Sequence, residues 1–465
     1  MNHSMTRYYR CSQRHVPQSF AGDLTEARGY FLFGQESTCY GSHSRQQAAA
    51  IPTESLHDAL NDVAIEDGKV HLPFDPSQII DNLQGELYAG NWREGPSSAL
   101  LNIYYLLRPA LPVTLRKHLQ RFRLRGWEKL AFPRWPVDCS VDNLEEQLML
   151  LTLRATGLER IPFIWFWPQG ASGCAIMTHD VETAGGKKLC RRLMDIDDAF
   201  GIKSSFQIIP ESRYEVDREF LDSIRERGFE IVVHDLNHDG QLFSNREQFV
   251  ERVAKINAYG KHFGAEGFRA AVLYRNQRWF DALEFSYDMS VPNVAHLDPQ
   301  RGGCCTVMPY FVGDVLEIPV TTVQDYTLFH ILNDYSIDLW KQQTEIILRK
   351  HGCMSFIVHP DYVRKPRELA VYHKLLDHLS RLREEQDIWI AKPGEVNRWW
   401  RQRSRMRLAK DRHGWKIVGD GKERASLAYA SEENGRLVLT VDGKSTTSDS
   451  VAKQEWNLEG AEVVC

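Results

Sequence analysis

The chain has 465 residues, 43% hydrophobic and 26% charged, with a formal net charge of −5. That length excludes a single small domain and allows a large core, and the mild acidity argues against a nucleic-acid or other polyanion partner. The sequence holds no apolar run long enough to span a bilayer, and its start lacks the apolar centre of a secretory leader, so a soluble cytoplasmic protein is expected. Its nine cysteines have no paired short spacings and read as reduced thiols, and with no CxxC a zinc finger is excluded.

In chain order, residues 1–52 show no sustained period and read as a flexible N-terminal tail. A helical extension is expected over 53–168. Within it, FDPSQIIDNLQGELY places Ile79, Ile80, Leu83 and Leu87 on one helix face behind an Asp-Pro start. Residues 97–125 then run from an apolar half into a basic amphipathic half carrying Arg116, Lys117, Arg121, Arg123 and Arg125. A helical arm packed on the main domain is the favoured reading of this block. Peripheral contact with an anionic membrane surface is the other. SVDNLEEQLMLLTLRATG follows as an amphipathic helix, with Ser140 as N-cap and Gly157 as C-cap, and IPFIWFW reads as a buried strand.

Over 169–402 the pattern becomes strand then helix, repeated. Strand-like runs begin at CAIMTHDV, SSFQIIP, EIVVH, FRAAVLY, YDMSVP, VLEIPVT, MSFIVHP and IWIAKPGE. This alternation predicts an α/β fold with parallel strands in a closed or nearly closed barrel. Residues 403–447 change character, to short β runs with Asn-Gly and Asp-Gly turns. They form a small β appendage of about 45 residues, before a flexible tail at 448–465.

The chemistry-bearing residues gather at strand tips, where α/β enzymes build their sites. In Asp180-Val181-Glu182, strand alternation puts both carboxylates on one side, suited to metal binding and proton handling. His234 and His238, four apart, have the spacing of two metal ligands meeting on one face of a helical turn. Arg269, at the start of a strand, would hold a neighbouring carboxylate ionised. His359 ends another apolar strand and could protonate a leaving group.

In order, MTHDVET, VVHDLNHD, GFRAAVLYRN and FIVHPDY resemble the motifs of the polysaccharide deacetylase superfamily (NodB homology domain, carbohydrate esterase family 4). The resemblance covers residues 174–400. It implies a distorted (β/α) barrel and a metal-dependent hydrolase that removes acetyl groups from a polysaccharide or glycoconjugate. By this resemblance Asp180 is the general base and His359 the general acid, with Arg269 orienting Asp180. Glu182, His234 and His238 are the ligands of a divalent metal, with zinc expected. Tyr274 and Asp288 are the candidate substrate contacts, and Asp288, Asp325 and Asp338 are the candidates for the acid that tunes His359. The sequence departs from the family pattern at Val181, where a second Asp is common, at Asp235, where Ser or Thr is usual, and at Ala270-Ala271, where Pro-Tyr is common. Two other functions are weighed: a C–N hydrolase acting on a small cyclic amide or imide, and a non-catalytic glycan-binding or assembly protein on the same barrel.

Overall fold

A computed structural model describes residues 4–20, 24, 25, 27–44, 48–52, 55–90, 124 and 126–443. The basic block 97–125, apart from Leu124, and the tail 448–465 lie outside the described residues.

The expectation of a flexible tail before residue 52 fails for the residues described there. They form a helix, Ser4–Tyr9, and three short strands, β1 (Gln18–Phe20), β2 (Gly29–Leu32) and β3 (Thr38–Gly41). Met5, Tyr9, Phe31, Phe33 and Cys39 are buried. The elements are too short to leave a period in the sequence, yet they deliver large apolar side chains to a common core. The extension that follows is not all helical. It contributes β4 (Ala64–Glu66) and β5 (Lys69–Leu72), which with β1 form a three-stranded sheet.

Two helices of this region follow their sequence signals. In Pro76–Gln84 the Asp75 side chain accepts the Ser77 N–H at 2.9 Å, and Ile79, Ile80 and Leu83 are buried, as the apolar spacing requires, whereas Leu87 falls beyond the helix in the separate 3-10 turn Leu87–Ala89. Helix Ser140–Thr156 ends at Gly157 with φ 64°, but its start differs from expectation. Ser140 is the first helical residue rather than the N-cap, and Asp138 accepts its N–H at 2.8 Å.

Strand β6 (Arg160–Ile164) leads to the central sheet of β7 (Cys174–Val181), β8 (Ser205–Ile208), β9 (Glu230–His234), β10 (Gly267–Arg269), β11 (Tyr287–Asp288), β12 (Tyr310–Val312), β13 (Val315–Glu317), β14 (Cys353–Ile357) and β15 (Trp389–Ile390). The order is β12-β13-β11-β10-β9-β8-β7-β14, and only β12 runs antiparallel to its neighbour. β14 takes one edge of β7 along Cys174–Thr178. β15 and β8 share the other, pairing with its first and last residues respectively. Helices Ala184–Ala199, Arg218–Glu226, Arg246–Phe263, Asp338–Arg349 and Pro366–Gln386 lie between the strands and bury apolar faces.

This is a distorted (β/α) barrel, and it is not closed by a ladder. Among the described residues no strand pairing joins β13 to β14. Pro319, with no N–H to give, interrupts the chain just after β13. Side chains span the gap instead. Thr321 Oγ1 and Thr322 Oγ1 donate to the carbonyls of Cys353 and Ser355, each at 2.7 Å, and Ser355 N–H donates back to Thr321 Oγ1 at 2.9 Å.

Alternation along β7 decides which groups reach the interior. Ala175, Met177 and Val181 pack in the apolar layer shared with the helices, whereas Cys174 and Ile176 belong to a second, inner cluster. His179, on the helix side, is committed to Asp197 at 3.0 Å. Thr178 and Asp180 therefore face inward.

The C-terminal appendage comprises β16 (Arg407–Asp411), β17 (Gly414–Val418), β18 (Leu427–Glu433) and β19 (Arg436–Val441). An Asn434-Gly435 turn, both residues at positive φ, joins the last two. β18 also pairs with β6, so the appendage completes a sheet with the strand that precedes the barrel. No described helix is long and apolar enough to cross a membrane.

Candidate active site

Six of the eight sequence-predicted site residues come together at the C-terminal ends of the barrel strands. Asp180 lies in the last turn of the β7 pleat and Glu182 immediately beyond it, with Val181 packed on the opposite side. Arg269 ends β10, where its register partner is His234 at the end of β9. His359 follows β14 by two residues.

Arg269 is fully buried. Its guanidinium donates to Asp180 Oδ1 at 2.6 Å, to Thr178 Oγ1 at 2.8 Å and to the Met289 carbonyl at 3.1 Å. Burial alone would raise the Asp180 pKa. The Arg269 charge is the largest influence against this, and the carboxyl is held below its ordinary value.

His234 Nδ1 lies 3.1 Å from the Arg269 carbonyl. Donation of an Nδ1–H there leaves Nε2 as a lone-pair donor facing the barrel interior, the usual arrangement behind a metal-binding imidazole. Burial lowers its pKa to about 4, which keeps the ring neutral. His238 reaches the same point by an unexpected route. The segment His234–His238 is not a helical turn; Asp235 and His238 both adopt φ 57°. These left-handed residues fold the loop back so that the two rings meet edge to face, 4.9 Å apart. Arg213 fixes that loop by donating to the carbonyls of Asn237 and His238 at 3.1 and 2.6 Å. Nothing in the sequence signals Arg213, because its partners are backbone atoms.

Glu182, with a quarter of its side chain exposed, forms the solvent edge of the site. Its Oε1 stands 2.9 Å from His238 Nε2 and 3.5 Å from His359 Nε2. Burial opposes its ionisation, but His238 and His359 more than compensate and hold its pKa well below the ordinary value.

One ligand atom from each of Glu182, His234 and His238 lies within 4.8 Å of the other two. Both Nε2 atoms are buried, and neither has a properly aligned hydrogen-bond partner. Such orphaned nitrogens carry a desolvation cost unless a further group engages them. A carboxylate with two imidazole nitrogens suits a first-row divalent ion, zinc included, with a coordination position left open. The residues present therefore fit a metal.

His359 is held on its far side by Asp325, which accepts both His359 Nδ1–H at 2.6 Å and the His359 backbone N–H at 2.8 Å. Burial would depress the imidazolium. Asp325 and Glu182 reverse this and raise the His359 pKa well above the ordinary value. Of the three acids left open by the sequence, Asp325 is the one beside His359. Tyr362 packs against the ring at 4.8 Å.

Tyr274 and Asp288 do not join this cluster. Tyr274 is buried in the apolar layer beneath the site. Asp288 is fully buried and committed to Ser290, accepting its N–H at 2.7 Å and its hydroxyl at 2.8 Å. It also sits beside Glu317, whose pKa burial and Asp288 together raise well above normal. Neither residue offers surface to a substrate, which corrects the expectation drawn from their sequence positions. Tyr274 follows the Arg269 strand and Asp288 ends its neighbour, and the pattern does not reveal that both are buried away from the cluster.

Fold and site together define a half-open α/β barrel with a two-histidine, one-carboxylate pocket flanked by two charged pairs. No family model matches the sequence, and no curated protein matches it. Among solved structures the chain is similar to a Mycobacterium smegmatis protein described as a polysaccharide deacetylase, with 19% identity and a TM-score of 0.43 over 54% of this chain and 97% of that one. It is also similar to Puue allantoinase (14% identity, TM-score 0.39, 50% and 92% of the two chains). A third is the Bc1960 peptidoglycan N-acetylglucosamine deacetylase (12%, 0.31, 50% and 90%).

Proposed function

We propose that the chain is a divergent member of the polysaccharide deacetylase superfamily, and that it hydrolyses N-acetyl or O-acetyl groups on a polysaccharide or glycoconjugate at a metal-dependent site. The observation that carries this reading is the convergence of Glu182, His234 and His238 between two differently charged pairs, Asp180–Arg269 and His359–Asp325. A metal alone would suit many roles. A metal pocket with an ionised carboxylate on one side and an imidazolium on the other suits hydrolysis with proton transfer.

Glu182, His234 and His238 would hold the ion, which when bound polarises an acyl carbonyl and lowers the pKa of water. Asp180, kept ionised by Arg269, is the group that takes a proton from the attacking water. His359, kept protonated by Asp325, is the group that gives one to the departing amine nitrogen or alcohol oxygen. The His234 Nε2 to Asp180 Oδ2 separation of 3.7 Å puts the base directly beside the ligand set. Arg269 does not touch substrate; it positions Asp180 and keeps it charged.

Acetate release from N-acetylglucosamine oligomers, with and without a chelator, tests the proposal. Chelator-sensitive release is expected. Ring opening of a cyclic amide without acetate release would favour a C–N hydrolase instead, and binding of the oligomer with neither reaction would favour a glycan-binding protein.

A further inference from the structure

A second set of potential ligands lies in the N-terminal extension, outside the barrel. His43 is two residues past β3, His57 lies in the connection that follows, and Asp62 ends the 3-10 turn Ala59–Asp62. One ligand atom from each lies within 4.8 Å of the other two. Both imidazoles aim Nε2 at the same carboxylate oxygen: His57 Nε2 is 2.5 Å and His43 Nε2 3.5 Å from Asp62 Oδ2. The rings stand edge to face at 85°, which brings those nitrogens together while the ring bodies diverge.

The frame around them is rigid. The His43 side chain is 2% exposed, and its ring packs on Phe31, which packs in turn on Phe74. The His57 carbonyl accepts the Leu32 N–H at 2.8 Å. Asp58 fixes the turn that carries Asp62 by accepting from Leu60 N–H at 3.0 Å and Gly34 N–H at 2.8 Å. Backbone bonds and core packing thus hold the segments that carry the three donors side by side.

We propose that His43, His57 and Asp62 form a second metal site, taking a first-row divalent ion of the zinc class with a structural role. Hydrogen bonding to one oxygen would demand the Nε2–H tautomer of both rings. An ion instead uses both Nε2 lone pairs and the carboxylate charge at once, and the 3.5 Å His43–Asp62 separation already approximates one edge of a tetrahedral site. The ion would tie the β2–β3 hairpin to the turn after residue 57. The sequence gives little warning, because the ligands are 14 and 5 residues apart and belong to no recognised spacing.

The test is zinc stoichiometry by elemental analysis of the full chain, stripped of metal, reloaded and desalted. Wild type, His57→Gln, Asp62→Asn and His238→Ala are compared, with thermal midpoints measured with and without zinc. The Asp62→Asn side chain keeps an acceptor oxygen and its shape, so folding is preserved if His57→Gln proves unstable. The expected result is two equivalents in wild type and one in each variant. The equivalent that remains in His238→Ala should raise the thermal midpoint and be lost on adding Asp62→Asn. Unchanged zinc in both His57→Gln and Asp62→Asn would overturn this second site. So would a single wild-type equivalent lost only in His238→Ala. A single equivalent lost only in Asp62→Asn would support it while counting against the barrel centre.

Discussion

Asp325 accepts two hydrogen bonds from His359, one from Nδ1 and one from the backbone N–H, at 2.6 and 2.8 Å. The first keeps the imidazole charged; the second fixes where the ring stands. Asp325 thus raises the pKa of His359 above the ordinary imidazole value and favours its protonated form.

Asp325→Asn removes the charge and keeps the shape. Its effect on kcat/KM is expected to be greatest at alkaline pH, with the alkaline limb moving to lower pH and kcat falling roughly 10²-fold. A pH–rate profile of the variant checks this. A uniform loss at every pH would indicate a purely structural role for Asp325.

Asp180→Asn is expected to lower turnover by about 10²- to 10⁴-fold while metal content stays at the wild-type level. The amide can still accept from Arg269 but cannot take a proton from water. Parallel steady-state kinetics and elemental analysis measure the two effects separately. Normal turnover would remove Asp180 from the role of base.

The barrel was legible in the sequence because its strands are apolar runs separated by amphipathic helices; EIVVH ends on His234, and the run of β14 leads to His359 two residues on. The N-terminal core was not, because Phe31, Phe33 and Cys39 lie on strands of four residues or between them, where no period can develop. The site divides along similar lines. Side chains at strand tips could be assigned from alternation. The left-handed φ values of Asp235 and His238, which replace the expected helical turn, depend on a loop conformation that residue spacing does not encode. Likewise the choice of Asp325 over Asp288 and Asp338 depended on how the chain returns after β13.

Among the contacts that join the extension to the barrel is a buried ion pair. Glu86 accepts from Arg275 Nε at 2.7 Å and from Gly303 N–H at 2.7 Å, and the Arg275 side chain is fully buried. Glu86→Ala leaves that guanidinium buried without its counter-charge. A loss of about 3–5 kcal/mol is expected, measured as a shift in the urea midpoint. A variant as stable as wild type would show that the pair does not hold the two parts together.

Glu145, buried in helix Ser140–Thr156, has its pKa pushed up to about 8 by desolvation. Its raised value means that it favours the folded state fully below the ordinary carboxyl pKa. That contribution is lost as pH rises through about 8. Stability of the wild type should therefore fall across this window, with Glu145 contributing about 1.4 kcal/mol per pH unit. Asp142, raised to about 7 chiefly by burial, acts in the same direction. Glu145→Gln should flatten the curve, as read from urea unfolding at a series of pH values. An unaltered pH dependence would show that Glu145 is ionised in the folded protein.

The most direct test of the proposed metal centre is the location of zinc by anomalous diffraction from crystals of the metal-loaded protein. The expected result is a peak about 2.0–2.2 Å from one oxygen of Glu182 and from Nε2 of His234 and His238. Zinc bound elsewhere in the crystal with no peak between these three residues would contradict the account.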